Sequence, residues 1–280
     1  MAKIITSING RLVRNRDAKI SVFDNSFLYA EGLFETFLAI DDRIIFAREH
    51  LQRLYRGARV IGIDIPTGTE ELTAWMTKAV CACPGRVKKV RLTLTSGESV
   101  RWGGRRGKPK VIISVSTHKI PTKPFKLQVS EFNVDHKSAF RKIKTLSYAI
   151  HAAAFKQAQE NGCDDALLLN RQHQVAEVTS ANIYWVKKGR IYTPPMTSGC
   201  LGGVTRKIVL REAKKLDRPI IEKDCRLPEM LKAEEIFISS SLKLVIGVSD
   251  IIIGKRRHQF QPGPLTDEFS KHFRQIVRLT

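Results

Sequence analysis

Lys144 lies in the run Arg141-Lys142-Ile143-Lys144-Thr145-Leu146-Ser147-Tyr148, just ahead of a helical segment. Two later stretches answer it: Ala176-Glu177-Val178-Thr179-Ser180-Ala181-Asn182-Ile183-Tyr184-Trp185, then Gly202-Gly203-Val204-Thr205-Arg206. Together they offer an amine able to form a Schiff base, a carboxylate able to pair with a pyridine nitrogen, and a glycine-rich helix start suited to a phosphate. Pyridoxal 5′-phosphate (PLP) requires those three groups of a protein.

Each residue also has a plainer reading. A lysine is ordinarily a solvated charge, but Lys144 follows two cations, Arg141 and Lys142, and is flanked by apolar Ile143 and Leu146. Neighbouring positive charge and burial both lower an amine's pKa and favour the neutral nucleophile. Lys142 is the rival for the same role. Glu177 read alone is an edge-strand carboxylate, and Gly202-Gly203 read alone is a turn. Ahead of a helix beginning near Val204, however, the free amides and the helix dipole suit a dianion.

The order IKTLSY, AEVTSANIYWV, GRIYTPPMTSGCLGGVTR resembles the class IV (fold-type IV) PLP-dependent aminotransferases. That family includes branched-chain aminotransferases, D-amino acid aminotransferases and aminodeoxychorismate lyases. The resemblance extends upstream to Val22-Phe23-Asp24, Gly32-Leu33-Phe34-Glu35-Thr36 and Glu49-His50-Leu51-Gln52-Arg53-Leu54, and so covers most of the chain. It implies that Lys144, through the IKTL match, forms the internal aldimine and moves the proton between Cα and C4′. Glu177, in an E-x-x-S-x-N context with Ser180 and Asn182, would keep the pyridine nitrogen protonated. Val204 and Thr205 would bind the phosphate through their amides, with the Thr205 hydroxyl, the Arg53 guanidinium and Ser241 beside them. Tyr148 would hydrogen-bond the phenolic oxygen, and Tyr29 would line the pocket. The resemblance further implies a two-domain α+β fold, amino acid and 2-oxo acid substrates, and a homodimer.

The subgroups are each matched in part. D-amino acid aminotransferases carry an arginine after the strand threonine, where this chain has Thr95-Ser96-Gly97. Branched-chain enzymes show FEG and a GG-N-Y segment, where this chain has Phe34-Glu35-Thr36 and Leu146-Ser147-Tyr148. The FET triplet, TSANIYW and Ser240-Ser241-Leu242 are closer to aminodeoxychorismate lyases, yet Phe37-Leu38-Ala39 stands where an arginine commonly follows. Transamination is the expectation, with pyruvate elimination from an aminated chorismate as the alternative. For the substrate carboxylate the candidates are Arg91, on a strand face with Thr93 and Thr95, and Arg101 in the following loop.

Composition narrows the class. At 280 residues, 42% hydrophobic and 27% charged, the chain can bury a large core. No apolar run approaches the roughly 20 residues of a spanning helix, and Met1–Thr6 is too short an apolar start for a secretory signal, so the cytoplasm is expected. Five scattered cysteines fit reduced thiols. Cys81-Ala82-Cys83 has no second pair at zinc-ligand spacing, and no metal is expected. Forty-eight Lys+Arg against 27 Asp+Glu give a net charge of +21. The basic residues are spread out, with short concentrations at 101–110 and 255–258 that lack stacking aromatics. A basic solvated surface that draws in anionic small molecules is therefore favoured over nucleic-acid binding.

The elements follow from periodicity. Residues 3–13 read as a hairpin around Asn9-Gly10. Leu33–Ile40 and Arg43–Phe46 read as strands, and 47–61 as a helix with Leu51, Leu54, Tyr55, Ala58 and Ile61 on one face. Thr69–Cys83 is a second helix. Lys89–Thr95 and Lys110–Ser116 are strands enclosing the glycine- and arginine-rich loop 97–110. After Pro121 and Pro124 come a strand at 126–132, a helix at 147–161, strands at 165–169, 182–186 and 190–193, a helix at 204–216, and strands at 235–239 and 244–248. With no βαβ repeat, the expectation is a smaller N-terminal α/β domain at 1–117, a linker at 118–125, and a larger β-rich C-terminal domain at 126–280. The resemblance makes the latter a PLP-binding pseudo-barrel.

Overall fold

The structure is a computed structural model that describes residues 4–99 and 107–279. Arg101 lies outside the described residues. By contact density the chain divides into two compact units, one running to Ile120 and including Ile143–Ser147, the other comprising Pro121–Lys142 and Tyr148 onward.

The first unit holds β1 (Ile5–Ile8), β2 (Arg11–Val13), α1 (Asn25–Tyr29), β3 (Gly32–Ile40), β4 (Arg43–Ile44), α2 (Ala47–Ile61), α3 (Thr69–Cys81), β5 (Val87–Thr95) and β6 (Val111–Thr117). Its six-stranded sheet has the order β2-β1-β6-β5-β3-β4. The β1–β2 hairpin closes through Asn9 and Gly10, both at positive φ, as a tight two-residue turn demands. Period-two alternation sends Leu33, Phe37 and Ala39 of β3, and Val90, Leu92 and Leu94 of β5, to the face covered by α2 and α3. There they meet Leu51, Leu54, Leu72 and Met76 in one core.

The strand expected at Arg43–Phe46 stops at Ile44, because Phe46 turns to positive φ to launch α2. The helix expected to reach Cys83 ends at Cys81. Ile143–Ser147 joins this unit as an extended segment beside β3: Phe34 N–H donates to Lys144 O at 3.0 Å and Leu146 N–H to Gly32 O at 2.9 Å. Gly32 is required there, since a Cβ would fall 2.6 Å from both Leu146 Cδ1 and Leu94 O.

The second unit holds β7 (Phe125–Val129), α4 (Ala149–Glu160), β8 (Asp165–Leu169), β9 (Val175–Val178), β10 (Asn182–Lys187), β11 (Arg190–Thr193), α5 (Val204–Lys215), β12 (Ile220–Glu222), α6 (Leu227–Met230), β13 (Glu235–Ser240), β14 (Leu244–Ile253), β15 (Arg256–Gln259) and α7 (Pro264–Ile276). Its nine-stranded sheet runs β12-β11-β10-β13-β14-β7-β8-β9, with β15 paired to β14. The sheet curls back on itself, for β9 at one end turns directly into β10 through a Val178–Ala181 bridge. Its inner residues, among them Trp185, Ile183, Ile238 and Val248, form an apolar core. This is the mixed α+β, β-rich architecture that the sequence led us to expect.

Two differences have local causes. The strand expected at 244–248 continues to Ile253, with a register shift between Val248 and Asp250, because β7 and β15 take up its outer half. The basic cluster at 255–258 forms the turn and start of β15, where the Asp250 carboxylate accepts from Arg257. Among the described residues no helix is long and apolar enough to cross a membrane.

Candidate active site

In the first unit the chemistry gathers along β3. Lys144 Nζ lies 4.3 Å from the centroid of the Phe34 ring, and Arg91 Cζ lies 3.9 Å from the same centroid. The aromatic quadrupole attracts both cations, a contact worth about 0.5–2 kcal/mol. Arg91 of β5 reaches the ring because its cross-strand partner on β3 is Thr36, and Phe34 is Thr36's neighbour on the same face. The half-buried face away from the core thus carries Lys144, Phe34, Arg91, Thr36 and Thr93. Lys142, the rival amine, ends a 3-10 turn at Ala139–Lys142 and is exposed. Tyr29 closes α1 and is 47% exposed.

Arg53, placed on α2 by the sequence, is buried. Its Nε and Nη2 donate to the two oxygens of Glu35 at 2.7 and 2.6 Å, and His50 Nδ1 lies 2.7 Å from the second oxygen. Burial alone would raise the Glu35 pKa, but the Arg53 charge and the bonds from Arg53 and His50 outweigh it and hold the carboxyl at about 2. Burial also lowers the pKa of His50, against the pull of Glu35. Truncating Arg53 to Ala would leave a buried carboxylate with His50 alone, a loss that typically costs about 3–5 kcal/mol. A drop of that size in the urea-unfolding free energy is the expected result for Arg53→Ala.

In the second unit Glu177 on β9 is the centre, with 4% exposure. Arg141 Nη2 donates to its Oε1, His151 Nε2 lies 3.2 Å from the same oxygen, and Leu201 N–H donates to Oε2 at 2.8 Å. Burial raises its pKa, yet the His151 and Leu201 hydrogen bonds and the Arg141 and His151 charges bring it below the ordinary carboxylate value. An ionised carboxylate offers about four lone-pair sites, so Glu177 can accept one further donor. The cation that the sequence read as lowering the pKa of Lys144 through Arg141 therefore has a partner, Glu177.

The motif residues around Glu177 hold the glycine loop. Asn182 Nδ2 donates to Leu201 O at 2.8 Å, and a Cβ on Gly203 would fall 2.1 Å from Asn182 Oδ1, so only glycine fits. Arg141 Nε donates to Gly199 O at 2.7 Å, where Gly199 has φ of 89°. The loop delivers α5, whose first residue follows Gly203 without a side-chain cap. Helix geometry leaves the first amides, those of Val204 and Thr205, without intrahelical acceptors. Both residues are buried. Ser180 donates to Asp165, which Lys243 also meets at 3.4 Å, and this ties down the turn carrying Ser241 between β13 and β14. Tyr148 stacks on His151 with ring centroids 4.2 Å apart and donates its hydroxyl to Thr179 O at 3.3 Å.

Sequence reasoning missed Glu35, His50, Arg141 and His151 as charge partners. Their signals were present: Glu35 interrupts an apolar strand face, and His50 lies one turn before Arg53 on α2. These residues suit PLP chemically. A glycine cradle opens onto a buried, uncapped helix start, a buried carboxylate is held ionised with acceptor capacity to spare, and a lysine is placed on an aromatic ring.

Comparisons with known proteins identify the family. The model of the amino-transferase class IV family matches residues 32–251, and the chain belongs to that family of PLP-dependent enzymes. A Methanocaldococcus jannaschii protein assigned as a branched-chain-amino-acid aminotransferase is 31% identical over 280 residues, covering 96% of this chain and 95% of its own length. The D-alanine aminotransferase of Bacillus licheniformis is 31% identical over 261 residues, 92% of each chain. Among solved structures, a branched-chain aminotransferase from Thermoproteus uzoniensis with norvaline superposes with a TM-score of 0.89 at 27% identity, covering 98% of this chain and 94% of that one.

Proposed function

We propose that this enzyme binds PLP and moves an amino group from an amino acid to a 2-oxo acid such as 2-oxoglutarate or pyruvate. The observation that carries the reading is the pairing of Lys144 and Arg91 on the Phe34 ring. It sets an amine and a guanidinium against one aromatic ring.

When bound, PLP supplies the electron sink that makes the substrate Cα acidic. Lys144 anchors the cofactor and then takes and returns the Cα proton through Nζ. Glu177, kept ionised by Arg141, His151 and the Leu201 amide, would accept a hydrogen bond from the protonated pyridine nitrogen. The amides of Val204 and Thr205, the Thr205 hydroxyl, Arg53 and Ser241 would bind the phosphate, and the Tyr148 hydroxyl would turn its proton from Thr179 O to the phenolic oxygen. Arg91 takes the substrate carboxylate, with Tyr29 and loop residue Arg101 as further pocket residues. The residues from 126 onward constitute the PLP-binding domain of this reading, and those to 117 the smaller domain.

The test is direct. Holo-protein mixed with a panel of amino acids of either hand should lose its absorbance near the visible edge as the pyridoxamine form accumulates, and 2-oxoglutarate or pyruvate should restore it. If no amino acid converts the cofactor while aminodeoxychorismate releases pyruvate, elimination replaces transamination.

A homodimer belongs to the same reading. Val22, Phe23, Phe27, Leu28 and Tyr29 are 60%, 64%, 64%, 45% and 47% exposed within eight residues, an apolar stretch that a monomer would leave in water. Sedimentation should give a dimer, and replacing Phe23 and Phe27 by Ser should yield monomers. A wild-type monomer at micromolar concentration would refute it.

A further inference from the structure

Glu35 occupies a position that β3 otherwise gives to hydrocarbon. Leu33, Phe37 and Ala39, on the same side of the strand, belong to the core beneath α2. A carboxylate there is kept only by partners, and a well-packed apolar side chain would serve stability as well or better. The Glu35, His50 and Arg53 side chains are 1%, 1% and 8% exposed by residue, so water does not screen them.

We propose that Glu35 and His50 are positioning residues for Arg53, fixing the plane and direction in which its guanidinium meets the phosphate of the cofactor. The inference rests on the reading of Arg53 as a phosphate ligand.

The geometry supports it in three ways. A guanidinium is planar with five N–H donors in a rigid fork. Two of them, on Nε and Nη2, are spent on Glu35 at 2.7 and 2.6 Å. Because the group is rigid, fixing two N–H vectors fixes the plane and direction of the whole guanidinium, so an oxyanion would meet a preset group rather than a mobile chain. Second, Glu35 balances the charge of Arg53, so the contribution of the arginine to a phosphate is directional and not merely attractive. Third, the ionised Glu35 can only accept, so His50 must carry its proton on Nδ1, 2.7 Å away. A neutral His50 then steadies the carboxylate without competing with Arg53 as a second cation.

The test compares PLP with pyridoxal, which lacks the phosphate, by titrating the full-length protein after the cofactor has been removed. Glu35→Gln puts an amide N–H against one of the Arg53 donors. It should raise the PLP dissociation constant by about tenfold and leave that for pyridoxal unchanged. His50→Leu should shift the same ratio by about threefold, and His50→Asn, which keeps an N–H near the Nδ1 position, should restore it. Arg53→Lys preserves the charge opposite Glu35 but loses the fork, and should lower the PLP preference at least as much as Glu35→Gln does.

The outcomes separate the claims. If Arg53→Lys leaves the PLP-to-pyridoxal ratio untouched, the phosphate reading of Arg53 fails and this inference falls with it. If Arg53→Lys lowers the ratio while Glu35→Gln and His50→Leu do not, the positioning role alone is overturned. Equal weakening of both ligands by Glu35→Gln would make the network a structural brace, which also overturns it. Should Glu35→Gln fail to fold, the contrast between His50→Leu and His50→Asn decides: a ratio that His50→Leu leaves unchanged overturns the positioning role.

Discussion

Borohydride reduction of the PLP-loaded protein will leave the pyridoxyl group on Lys144, and Lys144→Ala will abolish turnover. Removing the residue proposed to move the Cα proton would forfeit a factor of about 10²–10⁴ from acid–base catalysis alone. The loss of the cofactor's anchor adds to it. The placement of the two candidate amines motivates the choice: Lys142 is exposed at the end of a 3-10 turn, whereas Lys144 Nζ lies over Phe34. Peptide mapping of the reduced protein checks the first claim, and methylamine should partly rescue the alanine variant by supplying a free base. A pyridoxyl group on Lys142, or turnover by Lys144→Ala within tenfold of wild type, would remove Lys144 from the mechanism.

Glu177→Gln should retain PLP and lose about a hundredfold or more in kcat, the usual consequence of deleting a charge interaction that strengthens as the reaction proceeds. Glu177 is held ionised by Arg141, His151 and the Leu201 amide, and the glutamine keeps the shape but neither the charge nor four acceptor sites. Because Lys144 and the proposed phosphate ligands are untouched, cofactor binding should change little. The spectrum of the bound cofactor reports retention, and single-turnover rates report the chemical step. Near-normal rates with the cofactor bound would show that Glu177 does not partner the pyridine nitrogen.

Much of this was legible along the chain, because the signals are local. Alternating Val90, Leu92 and Leu94 announced β5. The repeat of Leu51, Leu54 and Ala58 announced α2, and its bounds at Ala47 and Ile61 agree with the structure. Asn9-Gly10 announced a hairpin. What was not read has weaker local marks. α1 is five residues long, β9 four, and α7 carries its apolar face on a few residues, Phe269 and Phe273 among them, behind Pro264.

The candidate site divides in the same way. The types of residue needed for PLP chemistry, and their order, are properties of the sequence: Lys144, Glu177, Asn182 and the Gly202-Gly203 pair are recognisable by neighbours a few positions away. Which charge meets which is decided only by the fold. Arg53 reads on the helix as a residue off the apolar stripe, yet the tertiary structure buries it against Glu35, 18 positions earlier on β3. Arg141 reads as a neighbour of Lys144, yet it donates to Glu177, 36 positions later. Even the need for glycine at 203 comes from a distant side chain, the amide of Asn182. A periodic pattern tells each side chain which face to take, since that depends on its own strand or helix. A buried charge must find its counterpart on whatever element packs against that face, because leaving it unpaired away from water costs more than local propensity can offset.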